Sequence, residues 1–243
     1  MNPPPSAVTD KDRQLAIISI IVPVLDEANA IVSFLQSVHN TCPTATEIIV
    51  VDGGSHDGTA SLAAPHCDHV VASAKGRAIQ LNAGARLASG TILCFLHADS
   101  LLPPHAGDLI RRTLGNPASG WGRFDVRLSG KHPMLRVIER LMNWRSRLTG
   151  IATGDQAMFM SRELFDKVGG FPEIALMEDI AMSRRLKAHN APLCLPYTVV
   201  TSSRRWERDG IARTIVLMWK LRLLYFLGAD PTSLAKRYYR RCV

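Results

Sequence analysis

Leu15-Ala-Ile-Ile-Ser-Ile-Ile-Val-Pro-Val-Leu25 is an almost unbroken run of apolar, mostly β-branched residues. A strand with one wet face alternates polar and apolar residues, whereas a strand covered on both faces does not. The run therefore predicts a strand in the middle of a sheet, with helices above and below it. Outward from it the same signal recurs at Glu47-Ile-Ile-Val-Val51 and Thr91-Ile-Leu-Cys-Phe-Leu96, with a shorter strand expected at His69–Ala72. Patterns of helical spacing lie between these strands, over about 27–39, 57–64 and 76–88. Alternating strands and helices predict an α/β fold with a mostly parallel, Rossmann-like, doubly wound sheet and flanking helices.

Beyond Leu101 the alternation weakens. The spacing predicts helices over 105–114, 133–148, 179–188 and 209–227, strands over 122–128 and 157–160, and an extended stretch over 193–200 around Pro196. There is no internal repeat and no linker long enough to split the chain. The expected organisation is a disordered, Pro-rich lead-in at 1–14, one α/β domain at 15–200 and a basic, apolar C-terminal helical segment at 201–243.

With 47% hydrophobic and 21% charged residues the chain is too apolar to be disordered throughout. Cys42, Cys67, Cys94, Cys194 and Cys242 are odd in number, widely spaced and form no C-x-x-C pair. That argues against a disulfide scaffold or a structural zinc site and for a reducing, cytoplasmic location. The first residues have neither a basic nor an apolar region of the kind a signal peptide needs.

The net charge of +8 is unevenly placed. Residues 201–243 hold ten Lys and Arg against three Asp and Glu, while the first 200 hold nineteen against eighteen. A nucleic-acid binder would more often carry a basic stripe across its body, so no nucleic-acid partner is expected. A near-neutral body with a basic, apolar tail points instead to an anionic membrane surface or an anionic ligand. Lys220 and Arg222 interrupt Thr214–Leu227, so that helix is not expected to span a bilayer. On a helical wheel Asp209, Arg213 and Lys220 share one side and Ile211, Ile215, Met218 and Tyr225 lie roughly opposite, with Arg222 intruding on the apolar side. Such an amphipathic helix either lies on a membrane, at the inner face of the cell membrane, or packs on the domain.

Open parallel sheets bind ligands beyond the carboxyl ends of their strands. Three acidic positions fall there: Asp26 and Glu27 after the first strand, Asp52 after the second and Asp99 after the fourth. In His97-Ala98-Asp99 a carboxylate is placed to hold a hard divalent cation, Mn²⁺ or Mg²⁺, that a nucleotide diphosphate also binds. A bare turn-capping role for Asp99 and a buried core role for His97 are the alternatives.

The order of motifs resembles the family 2 inverting nucleotide-sugar glycosyltransferases of the GT-A fold. The matching stretches are Ser19-Ile-Ile-Val-Pro-Val-Leu-Asp-Glu27, Ile49-Val-Val-Asp-Gly-Gly-Ser-His-Asp-Gly-Thr59, Gly76-Arg-Ala-Ile-Gln-Leu-Asn-Ala-Gly-Ala85 and Phe95-Leu-His-Ala-Asp-Ser100. They continue with Met160-Ser-Arg-Glu-Leu-Phe-Asp-Lys-Val-Gly-Gly-Phe171, Met177-Glu178-Asp179 and Arg184-Arg-Leu186. Within the family the chain looks like a small bacterial subgroup, often labelled arsenosugar-biosynthesis glycosyltransferases, that has Leu-His-Ala-Asp in place of Asp-x-Asp and carries Gly-Asp-Gln.

The resemblance implies roles position by position. Pro23, Asp26 and Glu27 would line the nucleotide pocket and Asp52 would bond the base, typically uracil of a UDP-sugar. Asp99 would hold the metal, with His97 standing where the family has another Asp. Asp179 would be the general base that takes the proton of an acceptor hydroxyl, since inversion needs a carboxylate opposite the leaving diphosphate. Arg77 would touch the diphosphate or lie on the surface as a helix-start arginine. Ser202-Ser-Arg-Arg-Trp206 resembles a Gln-x-x-Arg-Trp motif, in which Arg205 suits phosphate and Trp206 suits a sugar face. Glu178, Asp155 and Gln156 fall on the acceptor side, where Asp155 either orients a hydroxyl or pairs with an arginine.

The implied activity is a hexosyltransferase-type transfer of one sugar to a hydroxyl of a lipid or small-molecule acceptor. Two other readings compete. A sugar nucleotidyltransferase would need a Gly-rich, Arg- and Lys-bearing loop where the chain has Pro23-Val-Leu-Asp-Glu27. A catalytically silent nucleotide-sugar-binding protein at the membrane surface is the reading that the altered Asp-x-Asp keeps open.

Overall fold

The computed structural model describes residues 16–115 and 120–239. The expected lead-in at 1–14 lies outside them. In chain order the elements are β1 (Ile18–Val24), α1 (Ile31–Thr41), β2 (Thr46–Asp52), α2 (Thr59–Ala63), β3 (His69–Ala72), α3 (Arg77–Leu87), β4 (Ile92–Phe95), β5 (Ser100–Leu101) and α4 (Ala106–Leu114). They continue with β6 (Trp121–Leu128), α5 (Pro133–Thr149), β7 (Met158–Ser161), α6 (Arg162–Lys167), α7 (Glu178–Lys187), β8 (Leu193–Thr201), α8 (Arg204–Asp209), α9 (Ile211–Phe226) and α10 (Pro231–Tyr239). Short 3-10 turns occupy Ala64–His66 and Gly154–Gln156.

One eight-stranded sheet runs β3-β2-β1-β4-β7-β6-β8-β5. The first four strands are parallel, as the unbroken apolar runs predict. The second half is mixed: β7 runs antiparallel to β4 and β6, β8 parallel to β6, and β5 antiparallel to β8.

β1 shows why the run does not alternate. Ile18, Ile20, Val22 and Val24 pack with Phe34, Leu35 and Val38 of α1 on one face. Ile21 packs with Ala78, Leu81 and Ala85 of α3 on the other. The α3 contact is close because Gly84 carries no side chain: a Cβ there would lie 2.5 Å from Ile21 Cγ2. Phe95, Phe165 and Phe171 fill the same layer, with the Phe95 and Phe171 rings 4.8 Å apart and edge to face.

Two boundaries differ from the sequence reading for physical reasons. α1 starts at Ile31 rather than Glu27; the stretch before it is a turn entered at Asp26, φ 55°, and tied by its backbone N–H groups to Ser55, Thr59 and Asp57 of the loop after β2. The helix expected over 209–227 runs Ile211–Phe226, starting only after Gly210, whose φ of 85° lies outside helical geometry. α8 ends just before Gly210, and α10 opens at Pro231; the sequence reading did not separate either of these two helices. The cysteines Cys42, Cys67, Cys94 and Cys194 are free thiols.

Candidate active site

The sheet order reverses at β1, with β2 on one side and β4 on the other. That is the point where an open sheet leaves a crevice. β4 pairs with β1 only over Ile18–Ile21 and then parts from it. Pro23 lies just past the last pair, on the register that Ile21 uses to accept from Leu96 N–H at 3.0 Å. A proline is tolerated there because its missing donor would have faced a strand that has already diverged.

Beyond β1 and β2 the acidic residues are held by turn chemistry. Asp26, at φ 55°, accepts from His56 N–H at 2.9 Å. Asp52 is buried and accepts from Ser55 N–H at 3.0 Å and Ser55 Oγ–H at 2.5 Å. Asp57 accepts from Ala28 N–H at 2.9 Å and from Thr59. Gln80 on α3 donates to Val24 O and Val51 O, each at 2.9 Å, and so ties the two strand ends together. Glu27 is pushed above the usual carboxylate range by burial and by neighbouring Asp99, Asp57 and Asp26, against the pull of Arg204 at 4.0 Å. Asp99 is exposed beside this group, and its carbonyl accepts from Ser202 N–H at 3.1 Å.

His97 turns the other way. Its Nδ1 lies 3.6 Å from Asp155 Oδ1. A Cβ on Gly154 would fall 2.4 Å from His97 Cε1 and Nε2, so the ring lies flush against a backbone only glycine allows. Burial works to raise the Asp155 carboxyl, but His97, Arg77 and Arg222 outweigh it and hold the group below its ordinary range. Glu178 and Asp179 open α7, where the helix dipole favours carboxylates. Glu178 is buried and paired with Arg77 Nη1 at 3.2 Å. Asp179 accepts from Gly154 N–H at 3.1 Å and Ile180 N–H at 2.7 Å. Burial and adjacent Glu178 raise the Asp179 carboxyl, with Gly154 N–H, Arg222 and Arg77 opposing them.

Arg77, His97, Asp155, Asp179, Arg222 and Tyr238 surround a cavity of about 100 Å³, with Met218 on its wall. Asp52 and Asp99 do not line it. The predicted residues thus fall into two halves, a nucleotide-side rim and this cavity, with His97-Ala98-Asp99 between them. Among the described residues, three of the five non-glycine residues with positive φ border the halves: Asp26, Ala157 and Met177.

Several predicted residues have other surroundings than expected. Trp206 packs against Leu128, Leu135 and Ile138 in an apolar cluster. Arg205 lies over the Tyr238 ring at 3.7 Å and bonds its hydroxyl. Gln156 is fully buried and accepts from Thr153 N–H at 3.1 Å, fixing the Gly154–Gln156 turn from inside. Asp155 pairs with a histidine rather than with an arginine.

Among the described residues no three His, Cys, Asp or Glu side chains group closely enough to hold a metal alone. An exposed Asp99 fits a Mn²⁺ or Mg²⁺ that takes its other ligands from phosphate and water, the usual habit of these ions beside nucleotides. Sequence reasoning missed Tyr238 and Met218 and left Arg222 as an intrusion. The spacing of Met218 and Arg222, one helical turn apart, was the available signal, since it places both on one helix face.

The family model described as glycosyl transferase family 2 matches residues 19–169. No curated protein matches the chain. Among solved structures, a mannosyltransferase from Pyrobaculum calidifontis in complex with GDP-mannose and Mn²⁺ is 25% identical, with a TM-score of 0.58, over 76% of this chain and 56% of that one. The chain thus spans little more than half that enzyme's length. Glucosyl-3-phosphoglycerate synthase from Mycobacterium tuberculosis, with Mn²⁺, UDP and glucosyl-3-phosphoglycerate, is 21% identical over 82% and 76% of the two chains, with a TM-score of 0.54. TarS residues 1–349 from S. aureus with UDP-GlcNAc are 17% identical over 76% and 58%, with a TM-score of 0.58. The last two likenesses are of fold alone.

Proposed function

The chain belongs to glycosyl transferase family 2, and we propose that it moves one sugar, with inversion, from a nucleotide-diphosphate donor to a hydroxyl of a lipid or small-molecule acceptor. The donor is a UDP-sugar, a reading supported by neighbours of the same fold that hold UDP, as well as GDP-mannose in one case. Pro23, Asp26, Glu27 and Asp52 form the nucleotide side, and Asp99 holds Mn²⁺ or Mg²⁺. When bound, the cation offsets charge on the diphosphate leaving group. Arg77, fixed by Glu178, lines the Asp179 cavity and adds a positive charge there.

Asp179 is the general base. It takes the acceptor hydroxyl proton as the sugar's anomeric carbon passes from diphosphate oxygen to acceptor oxygen. The observation that carries this assignment is its setting. The carboxylate faces a cavity, is held in place by Gly154 N–H, and is made more basic than an ordinary Asp by burial and Glu178. His97 and Gly154 position Asp155 and Asp179 in turn.

The sequence features Leu96-His97-Ala98-Asp99 and Gly154-Asp155-Gln156 support the small bacterial subgroup named above, and the basic C-terminal segment supports attachment to an anionic membrane surface on the cytoplasmic side. Among the described residues no helix is long and apolar enough to cross a membrane. A silent nucleotide-sugar-binding role is favoured by one observation, the engagement of His97 with Asp155 where the family places a second Asp. A thermal-shift screen of nucleotide sugars with and without Mn²⁺ tests donor binding, because a ligand of the native state raises its melting point. Transfer assays on the donor it selects then separate an enzyme from a silent binder.

A further inference from the structure

α5 turns polar side chains, as well as Leu135 and Ile138, toward the body of the protein. Beyond Gly122 the β7 side of β6 carries no strand partner, and α5 covers it instead. Asn143 accepts from Val126 N–H at 2.9 Å and donates to Val126 O at 3.0 Å; Glu139 accepts from Leu128 N–H at 3.0 Å. Arg147 pairs with Asp125 at 2.7 Å. The opposite side of the helix is therefore apolar and bare: Met134, Val137, Leu141, Trp144 and Leu148 recur at three- and four-residue steps, and Trp144 and Leu148 are 62% and 65% exposed.

α9 does the same. Its inner side supplies Met218 and Arg222 to the cavity around Asp179, while Val216, Trp219, Leu223 and Phe226 face out, Trp219 at 68% exposure. The two helices touch through Leu135, Ile138 and Met142 on α5 and Ile211 and Ile215 on α9. On a helical wheel the bare stripe of each helix begins beside its residues in that shared cluster. Apolar stripes this exposed are uncommon on a protein surface that nothing covers.

Its rim is cationic. Arg213, Lys220 and Arg237 surround a groove between α9 and α10 that is floored by Val216, Leu217 and Leu224 and holds about 840 Å³. The only acidic residue on α5, α9 or α10 is Glu139, which is turned toward β6. A second copy of the chain would bring an identical positive rim against this one, whereas anionic lipid neutralises it.

We propose that α5 and α9 together form a docking face for an anionic bilayer surface. Trp144 and Trp219 enter the headgroup layer, and Arg213, Lys220 and Arg237 meet lipid phosphates. The proposal deepens the membrane-surface part of the reading above and rests on it. It makes α5, far from the basic C-terminal segment in sequence, half of the contact. Because the inner side of α9 is a wall of the Asp179 cavity, docking also brings that cavity close to a hydroxyl carried by a membrane lipid.

The test is flotation of the full chain with vesicles of equal parts phosphatidylglycerol and phosphatidylcholine, or of phosphatidylcholine alone. Two double variants are compared with the wild type, Trp144→Glu/Leu148→Glu on α5 and Trp219→Glu/Leu223→Glu on α9. The wild type is expected to float only with the anionic vesicles, and each double variant to lose at least about tenfold in partition. The substituted side chains are exposed, and the Mn²⁺-dependent UDP thermal shift serves as the fold control. The proposal is overturned if the wild type ignores anionic vesicles, or if the α5 variant floats as well as the wild type. It is also overturned if the wild type proves to be a dimer that the variants break without any vesicle binding. Loss of the UDP shift with flotation intact would instead sink the donor reading and leave the docking face standing.

Discussion

The carboxylates at the ends of β1 and β2 and those around the Asp179 cavity are held in opposite ways. On the nucleotide rim Asp26, Asp52 and Asp57 accept from backbone N–H groups and hydroxyls of one pair of adjoining loops. Around the cavity Glu178, Asp155 and Asp179 depend on Arg77, His97 and Gly154, each from a different part of the chain. The rim is built by turns that fold with their own strands. The cavity exists only once α3, β4, the Gly154 turn, α7 and the C-terminal helices have docked. On the proposed reading, local turn chemistry shapes the nucleotide side, while long-range pairing leaves the transfer side to be shaped by distant residues.

Four substitutions sharpen or break that contrast. Asp179→Asn should leave UDP binding intact and lower transfer by about 10²- to 10⁴-fold, as loss of a general base does. The pH profile and stability add a second reading. The folded pKa of Asp179 is raised above the ordinary 3.8, so the acid limb of kcat should lie above that value. The group's contribution to stability is complete below its unfolded pKa and is lost as pH rises through its folded one. The asparagine variant should accordingly melt higher than wild type at neutral pH; an unchanged melting point would mean that the carboxylate is not strained.

Asp99→Ala should weaken Mn²⁺-dependent UDP binding by roughly a hundredfold in calorimetry, since a cation contributes several kcal/mol at a diphosphate. Equal affinity with and without the carboxylate would place the cation elsewhere. Gly154→Ala forces His97 aside and shifts the N–H that holds Asp179, so kcat should fall about ten- to a hundredfold with the UDP affinity unchanged. Thr59→Ala is the rim counterpart. It orphans Glu27 N–H and should cost about 1 kcal/mol in denaturant unfolding while leaving kcat within about twofold. Should Thr59→Ala damage transfer more than Gly154→Ala does, the division into two halves is wrong.

The parallel half of the sheet was legible because its signal is local. β3 falls on the predicted His69–Ala72, and β1, β2 and β4 lie within a residue or a few of their predicted bounds. The rim acids were legible for the same reason, since a carboxylate after a buried strand is a feature of a few adjacent residues. The cavity was legible only through Glu178, Asp179 and Asp155. Tyr238 reaches it from α10, more than 50 residues beyond Asp179, and no local pattern records where a terminal helix will dock. The packing of Trp206 was not legible because an indole suits a sugar face and an apolar cluster equally well, and the contacts it makes depend on the position of α5. The inward turn of polar side chains on α5 was equally hidden: its charged and apolar stripes are plain in the sequence, but a reading from sequence assumes that the apolar one points inward.

That inward turn has a further effect on how copies of the chain behave toward one another. A strand with free N–H and C=O groups along one side invites the strand of another molecule, the first step of many aggregates. Asn143 and Glu139 occupy the backbone groups of Val126 and Leu128 with side chains instead. The sheet is thereby stopped from growing along that border, so that copies of the chain meet no open strand on the side where α5 lies.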